Sequence, residues 1–72
     1  MKVKIRYSVR EKEIIEEIEG KMEKKRIKEL YVDIPFPYSA VEYNEKEGWA
    51  IIEISKEDYE KIKNRVIEVI EE

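Results

Sequence analysis

The side chains that carry out most enzyme chemistry are scarce in this 72-residue sequence. It contains no His and no Cys, which removes the usual general base near neutral pH and the usual ligands of zinc. Its serines are Ser8, Ser39 and Ser55, and a serine nucleophile needs a neighbouring His or Lys base. Carboxylate pairs are frequent, but 46% of the residues are charged, so such pairs do not indicate a site. We therefore predict no catalytic residue, no metal ligand and no cofactor.

The segment GKMEKKRIK, residues 20–28, concentrates positive charge beside a glycine. Its candidate contacts to nucleic acid are Lys21, Lys24, Lys25, Arg26 and Lys28. Residues 1–28 hold ten Lys/Arg against six Glu, a balance of +4, whereas residues 29–72 hold five against twelve acids, a balance of −7. This asymmetry indicates an anionic partner for one half or a self-complementary homo-oligomer. The competing interpretation is that Gly20 ends a helix and the cations face water.

The first part of the chain is predicted to form a strand followed by a helix. KVKIRY alternates apolar and basic residues, which predicts a strand whose outer face carries Lys2, Lys4 and Arg6. The next residues, Ser8-Val-Arg-Glu11, have the pattern of a capping box. Behind them lie Ile14, Ile15, Ile18 and Met22, which share one face of a helix. We therefore predict a helix from about Ser8 to Gly20.

The second half of the chain predicts three strands and a final helix. The strands cover Leu30–Ile34, about Ala40–Tyr43 and Trp49–Ile54, with a hairpin loop at residues 44–48. Pro35 and Pro37 interrupt regular pairing after the first of them. Ser55-Lys-Glu-Asp58 is a second cap, and the apolar stripe behind it is Tyr59, Ile62, Val66, Val69 and Ile70.

This order, β-α-β-β-β-α, predicts one α+β domain over residues 1–72. Two helices with single apolar stripes require one apolar sheet face, so we expect a two-layer sandwich. We expect both helices to lie on one face of a small, mostly antiparallel sheet. The residues expected to face the helices are Val3, Ile5, Leu30, Val32, Ile34, Ala50, Ile52 and Ile54.

The order of elements loosely resembles a type I KH domain over most of the chain. The resemblance rests on a strand, a helix, a glycine loop, a very short second helix and a strand ending in VDIP. The Trp49–Ile54 strand and the last helix supply the remaining elements. In that family a G-x-x-G loop clamps the nucleic-acid backbone. The corresponding residues are Gly20-Lys21-Met22-Glu23, with an acid at the second glycine. The resemblance implies RNA or DNA binding at this loop.

The opposite face of the sheet is a second candidate surface. It would show Lys2, Lys4 and Arg6 together with Tyr31, Trp49 and Ile51. Basic and aromatic residues on an open sheet suit base stacking, but an apolar patch rimmed by charge also suits a homodimer. We favour the dimer. Phe36 and Tyr38 are either a recognition knob or a lid over the core edge, and we favour the lid.

The composition also predicts a compartment and a source. No apolar run approaches the roughly 18 residues that span a bilayer, and no apolar segment follows Lys2 and Lys4, so we expect a cytoplasmic protein. Sixteen Glu and eleven Lys, with no Gln or Cys, are typical of hyperthermophiles. The bias towards Ile, with twelve Ile against one Leu, also fits an A/T-rich genome. We favour a thermophilic archaeon or bacterium, or one of its viruses, over a computational design, because PFPYS and NEKEG are irregular loops.

Together these features predict a small, non-catalytic module that binds another macromolecule through protein–protein contacts and associates with itself. The interface candidates are Tyr31, Phe36, Tyr38, Trp49 and Ile51. The alternative is a small RNA- or DNA-binding protein that uses the basic segment or the sheet face.

Overall fold

The computed structural model describes all residues from 1 to 72 and is mostly β-structure. The strands are β1 (Lys2–Arg6), β2 (Ser8–Ile18), β3 (Lys21–Tyr31), β4 (Ser39–Asn44), β5 (Trp49–Glu53) and β6 (Val66–Glu71). Between β5 and β6 lie helix α1 (Lys56–Ile62) and one turn of 3-10 helix (Lys63–Arg65). The strands form two separate sheets, and the molecule measures 49 × 25 × 17 Å.

Four strands form the larger sheet, in the order β4-β5-β1-β6 with every neighbour antiparallel. We call this sheet and α1, with their connections, the body; it comprises residues 1–7 and 32–72. Strand β1 is central, and its alternation places Val3 and Ile5 opposite Ile52 and Ala50 of β5. One face of the sheet therefore carries the core, as period-two alternation dictates.

The core is small, entirely apolar and covered on one side only. Its buried residues are Val3, Ile5, Val32, Ala50, Ile52, Ile54 and Ile62. Ile62 comes from α1, and Val32 from the segment between β3 and β4. Half-buried Tyr59 and Phe36 pack against the rim of this cluster.

The other two strands form a long hairpin, which we call the arm (residues 8–31). Eleven residue pairs join β2 to β3, from Ser8–Tyr31 at the body to Ile18–Lys21 at the turn. The turn residues Glu19 and Gly20 have φ of 52° and 78°. Positive φ at both positions is the type I′ geometry that matches the twist of a two-residue hairpin. No residue of the arm is buried.

The predicted α+β sandwich with two helices on one face is wrong. The segment expected to form the first helix is strand β2, and the basic segment at residues 20–28 continues as β3. Ser8 lies in β2 and caps no helix. Gly20 is in a β-turn, so the KH-like order of elements is absent. The apolar residues at positions 14–22 do not pack against the core. They therefore provide no packing that would stabilise a helix.

The final helix was predicted at the right start but with the wrong end. Ser55 caps α1, since its Oγ accepts a hydrogen bond from the Asp58 backbone N–H at 3.1 Å. The helix ends at Ile62, and the chain returns as edge strand β6 beside β1. Its register shifts twice, and Ile67 and Ile70 are the residues left unpaired. Such bulges let strand residues recur with helix-like spacing.

The predictions for β1, β4 and β5 are confirmed, as is the 44–48 hairpin loop. The strand expected over Leu30–Ile34 is wrong in its second half, because β3 ends at Tyr31. Six of the eight predicted core residues are buried. The other two, Leu30 and Ile34, are half-buried.

Candidate protein interaction surface on the arm

The register of the arm sorts its side chains onto two faces, because directly opposed residues in an antiparallel pair share a face. One face carries acids only from β2 and bases only from β3, and we call it the acid–base face. Its residues are Val9, Glu11, Glu13, Ile15 and Glu17 from β2, with Met22, Lys24, Arg26, Lys28 and Leu30 from β3. The other face mixes both charges on each strand, and we call it the mixed face.

The acid–base face exposes the largest apolar surface of the arm. Met22 and Ile15 are 70% and 60% exposed, which makes them the most exposed large apolar side chains in the molecule. They occupy diagonal positions near the turn. At the body end, Val9 is 53% exposed and lies opposite Leu30. Apolar side chains therefore stand at both ends of this face.

Opposite charges fill the middle of the acid–base face. Glu11 lies opposite Lys28, and Glu13 lies opposite Arg26. Arg26 Nη1 is 4.0 Å from Glu11 Oε2, a diagonal ion pair between well-exposed side chains. Pairs this exposed add little stability, so they leave these charges available to a partner.

The mixed face is occupied near the body by a charged and aromatic cluster. Arg10 Nε donates to Glu29 Oε2 at 3.0 Å, and the Arg10 guanidinium lies 4.8 Å from the centre of the Tyr31 ring. The hydrogen bond to Arg10 lowers the pKa of Glu29 and raises that of Arg10. Farther out, this face exposes Ile18 and Ile27 to a lesser degree, 46% and 37%.

Three tyrosines of the body lie close to the base of the arm. Tyr43 and Tyr7 meet edge to face with ring centres 5.5 Å apart, and Tyr43 Oη donates to the Leu30 carbonyl at 3.5 Å. Tyr38 Oη accepts from the Val32 backbone N–H at 2.8 Å. Burial, followed by the neighbouring Tyr38, raises the pKa of Tyr43. Of these contacts, the Tyr43–Leu30 hydrogen bond is the one that joins the body to the arm.

The outer face of the body, which the sequence offered as a dimer or stacking surface, carries its own neutralising partners. Lys2 and Lys4 pair with Glu71 and Glu68 of β6, each at 3.5 Å. Lys4 Nζ also lies 4.3 Å from the centre of the Trp49 ring. The β6 carboxylates were missing from the predicted face because those residues were assigned to a helix.

The predicted aromatic interface residues separate in the structure. Trp49 and Ile51 do share the outer face of the body, opposite Arg6 and Lys4, and both are half-buried. Tyr31 is not beside them, since it lies on the mixed face of the arm. Phe36 and Tyr38 pack against the core, which places them where the lid interpretation expected.

The cations of the predicted nucleic-acid segment are divided between the two faces of the arm. Lys24, Arg26 and Lys28 lie on the acid–base face, alongside the β2 row of Glu11, Glu13 and Glu17. Lys21 and Lys25 lie on the mixed face. An extended strand alternates its side chains, so a run of cations in sequence does not form one basic surface.

Sequence reasoning missed the exposed apolar residues Val9, Ile15 and Met22. The helix assignment placed Ile15 and Met22 in a buried stripe. The available signal was the Glu-Gly turn, with acids concentrated before it and bases after it.

An open cleft lies between α1, the chain start and β6. Its volume is about 380 Å³, and its lining residues are Met1, Lys56, Tyr59, Glu60, Val69 and Glu72. The lining combines apolar side chains with both signs of charge and contains no Ser, Thr, Cys or His. No group of three or more His, Cys, Asp or Glu side chains is placed to hold a metal ion. The arm therefore remains the most distinctive surface.

Comparison with known proteins found no family model, no curated protein and no solved structure that matches this chain. The only α-helix, α1, has seven residues, and no helix has the length and apolar character needed to cross a membrane.

Proposed function

We propose that this protein is a non-catalytic binding module that docks onto another protein chain through its arm. The observation that carries the proposal is the combination of length and exposure in the arm: eleven pairs of residues without one buried side chain. The body supplies the stable platform that carries the arm.

The physical argument concerns how a hairpin is stabilised. A two-stranded hairpin by itself is at best marginally stable in water, and it needs a further strand or a packed face. The body offers neither to the outer part of the arm. Burying Ile15 or Met22 against a partner would contribute about 1.5–3 kcal/mol for each side chain. A protein surface therefore supplies what the arm lacks.

The charges of the arm favour a protein partner over nucleic acid. The arm holds seven Lys/Arg and seven Glu, a net charge of zero. Phosphate binding depends on uncompensated cations that release counterions, and the cations of the acid–base face stand beside carboxylates. Lys2 and Lys4 on the body are paired as well. RNA or DNA binding is the alternative that the experiment must separate.

A shortened arm tests the proposal. Replacing residues 13–26 with Asn-Gly closes the hairpin at the Lys12–Ile27 pair, six pairs before the native closing pair Ile18–Lys21. An even offset preserves the hydrogen-bonding phase that a two-residue turn requires. The core is untouched, so the body should keep its melting midpoint.

Immobilised full-length and shortened proteins would be compared for partners retained from an extract of the source organism. A partner found this way would be purified and titrated against both forms by calorimetry. We expect binding to the full-length protein and at least a tenfold loss with the shortened one. Equal affinity for both forms would contradict the proposal. So would binding of single-stranded RNA that quenches Trp49 fluorescence, weakens steeply with salt and survives arm shortening.

A further inference from the structure

The acid–base face separates its charges into two parallel rows, a pattern that identifies what can lie on it. The β2 row holds Glu11, Glu13 and Glu17, and the β3 row holds Lys24, Arg26 and Lys28. A matching partner must present a basic row over the acids and an acidic row over the bases. A second copy of the same face presents both.

Two copies meet this requirement in one orientation. A two-fold axis along the length of the arm places β2 of one copy over β3 of the other, with both turns at the same end. Each β2–β3 residue pair then lies over the same pair of the other copy, with the β2 residue over the β3 residue. Glu11 lies over Lys28 of the other copy, and Glu13 lies over Arg26 of the other copy. Because a two-fold interface repeats every contact, each of these two charge pairs occurs twice. The outer charges Glu17 and Lys24 lie over Met22 and Ile15 of the other copy.

Other symmetric arrangements place like charges together. A two-fold axis across the arm lays β2 over β2, which brings Glu13 onto Glu13 and Arg26 onto Arg26. Edge-to-edge pairing joins β2 to β2 or β3 to β3. Strand β2 has two cations and four acids, a net charge of −2, and β3 has five and two, a net charge of +3. Like charges set directly opposite destabilise strand pairing.

Apolar contacts occur at both ends of the favoured arrangement. Val9 lies over Leu30 of the other copy at the body end. Near the turn, Ile15 lies diagonally across from Met22 of the other copy. Ile15 and Met22 of both copies therefore form a cluster of four apolar side chains. Desolvation offsets much of the attraction between buried ions. The apolar ends therefore supply affinity, whereas the charged rows select the orientation.

We infer that two copies of this chain associate through their acid–base faces, with the arms parallel and the turns together. The inference rests on the proposed function and names its partner. A strip eleven residues long and two strands wide covers about 350 Å² on each copy. This is small for a permanent dimer, so association is weak and depends on protein concentration.

The first test removes the apolar contacts from one face at a time. The double substitution Ile15→Thr and Met22→Thr changes the acid–base face, and Ile18→Thr with Ile27→Thr is the matched control on the mixed face. Sedimentation velocity from micromolar to millimolar protein measures the dimer dissociation constant. We expect at least a tenfold weaker dimer for the first pair and little change for the second. Equal effects of the two pairs would overturn the inference.

The second test exchanges charge between the rows. Glu13→Arg and Arg26→Glu each place like charges over one another in the homodimer, so each variant alone should dimerise at least tenfold more weakly. In a dimer of one copy of each variant, the introduced arginine lies over the introduced glutamate, and the native Arg26 lies over the native Glu13. The mixture should therefore dimerise again. If the mixture stays monomeric, the charge rows do not face one another.

The third test establishes the orientation. The chain has no cysteine, so Glu19→Cys places a single spin label in the arm turn, and Glu45→Cys is the control in the β4–β5 loop. If the arms are parallel, the two turn labels lie close enough in the dimer for their dipolar coupling to be measured by electron paramagnetic resonance. If the arms are antiparallel, the labels lie at opposite ends of the interface. A long distance between the Glu19→Cys labels overturns the arrangement.

These outcomes separate the inference from the proposed function. A protein that stays monomeric up to millimolar concentration, yet loses another partner when its arm is shortened, overturns self-pairing alone. A dimer that resists every arm variant but dissociates on Trp49→Glu overturns the inference and assigns self-association to the outer face of the body. Loss of all arm-dependent binding would instead remove the proposed function.

Discussion

The body and the arm are built from the same kinds of residues and the same antiparallel pairing, but they use them in opposite ways. In the body, Ile52 is fully buried and lies opposite Val3 in the centre of a four-stranded sheet. In the arm, Ile15 lies opposite Lys24 and is 60% exposed. The body satisfies its apolar side chains within one chain, whereas the arm leaves them on the surface. Pairing of strands therefore does not by itself make a stable unit; the body also has a covered face.

Hydrogen exchange should show the largest difference between the two regions. Amides of β1, bonded to strands on both sides, exchange only when the whole body unfolds, whereas those near the arm turn exchange by local opening. In dilute solution we expect rates that differ by about three or more powers of ten. Exchange measured residue by residue by NMR checks this. Equal protection in both regions would mean that the arm is stabilised within the monomer.

Replacing one isoleucine in each region by alanine should give the next largest difference, measured as the change in the free energy of unfolding. Ile52→Ala leaves a cavity in the core and should lower the free energy of unfolding by about 2–5 kcal/mol. Ile15→Ala on the exposed arm should change it by less than about 0.5 kcal/mol. Urea unfolding of the dilute monomer measures both values. A large effect of Ile15→Ala would reveal packing in the arm that its exposure does not indicate.

The two glycines provide a smaller and more local comparison. Gly20 and Gly48 have φ of 78° and 80°, and a Cβ at either would meet no atom within 4 Å. Alanine at each therefore acts through backbone strain alone, at about 1–2 kcal/mol. Gly48→Ala should lower the melting midpoint of the body. Gly20→Ala should leave that midpoint unchanged and weaken the cross-strand NOEs of the arm; a shared effect on the midpoint would show that the two regions unfold together.

The smallest expected effect concerns the junction between the regions. Burial raises the pKa of Tyr43 in the folded protein, so the unfolded chain loses this proton first, near pH 10. Above that pH the folded state binds more protons than the unfolded state, and stability falls as the pH rises. Tyr43→Phe should reduce the fall between about pH 9 and 11, measured by urea midpoints. An unchanged slope would place the alkaline sensitivity elsewhere.

Regions with one buried face were the ones that the sequence predicted well. Strand β1 alternates Val3 and Ile5 with Lys4 because one side meets the core and the other meets water. The Trp49–Ile54 prediction was also correct, and the buried face of this segment is Ala50, Ile52 and Ile54. The Ser55 cap was also predictable, since it depends only on residues within one turn of the chain.

The arm and β6 lacked that signal for different reasons. The arm has no buried face, so nothing imposes alternation, and the spacing of Ile14 and Ile18 imitated a helix. In β6 the bulged residues Ile67 and Ile70 break the period of two. Four of the five residues in Val66-Ile67-Glu68-Val69-Ile70 are β-branched, which favours a strand. Because Ile is abundant throughout the sequence, this preference did not distinguish the segment. The acid–base face exists only when residues 8–31 form a hairpin. Because the first half of this segment was predicted as a helix, the face was not predicted.

The position of β1 has a consequence for the order of events in folding. Its neighbours in the sheet are β5 and β6, which come much later in the chain, and closing such long segments is entropically unfavourable. The arm pairs two strands that follow one another in the chain, and β-hairpins form in about 1–10 μs. Even a transient arm brings residues 8 and 31 together and so takes 24 residues out of the segment that joins β1 to β5. A surface element with no core of its own would in this way accelerate the assembly of the core beside it.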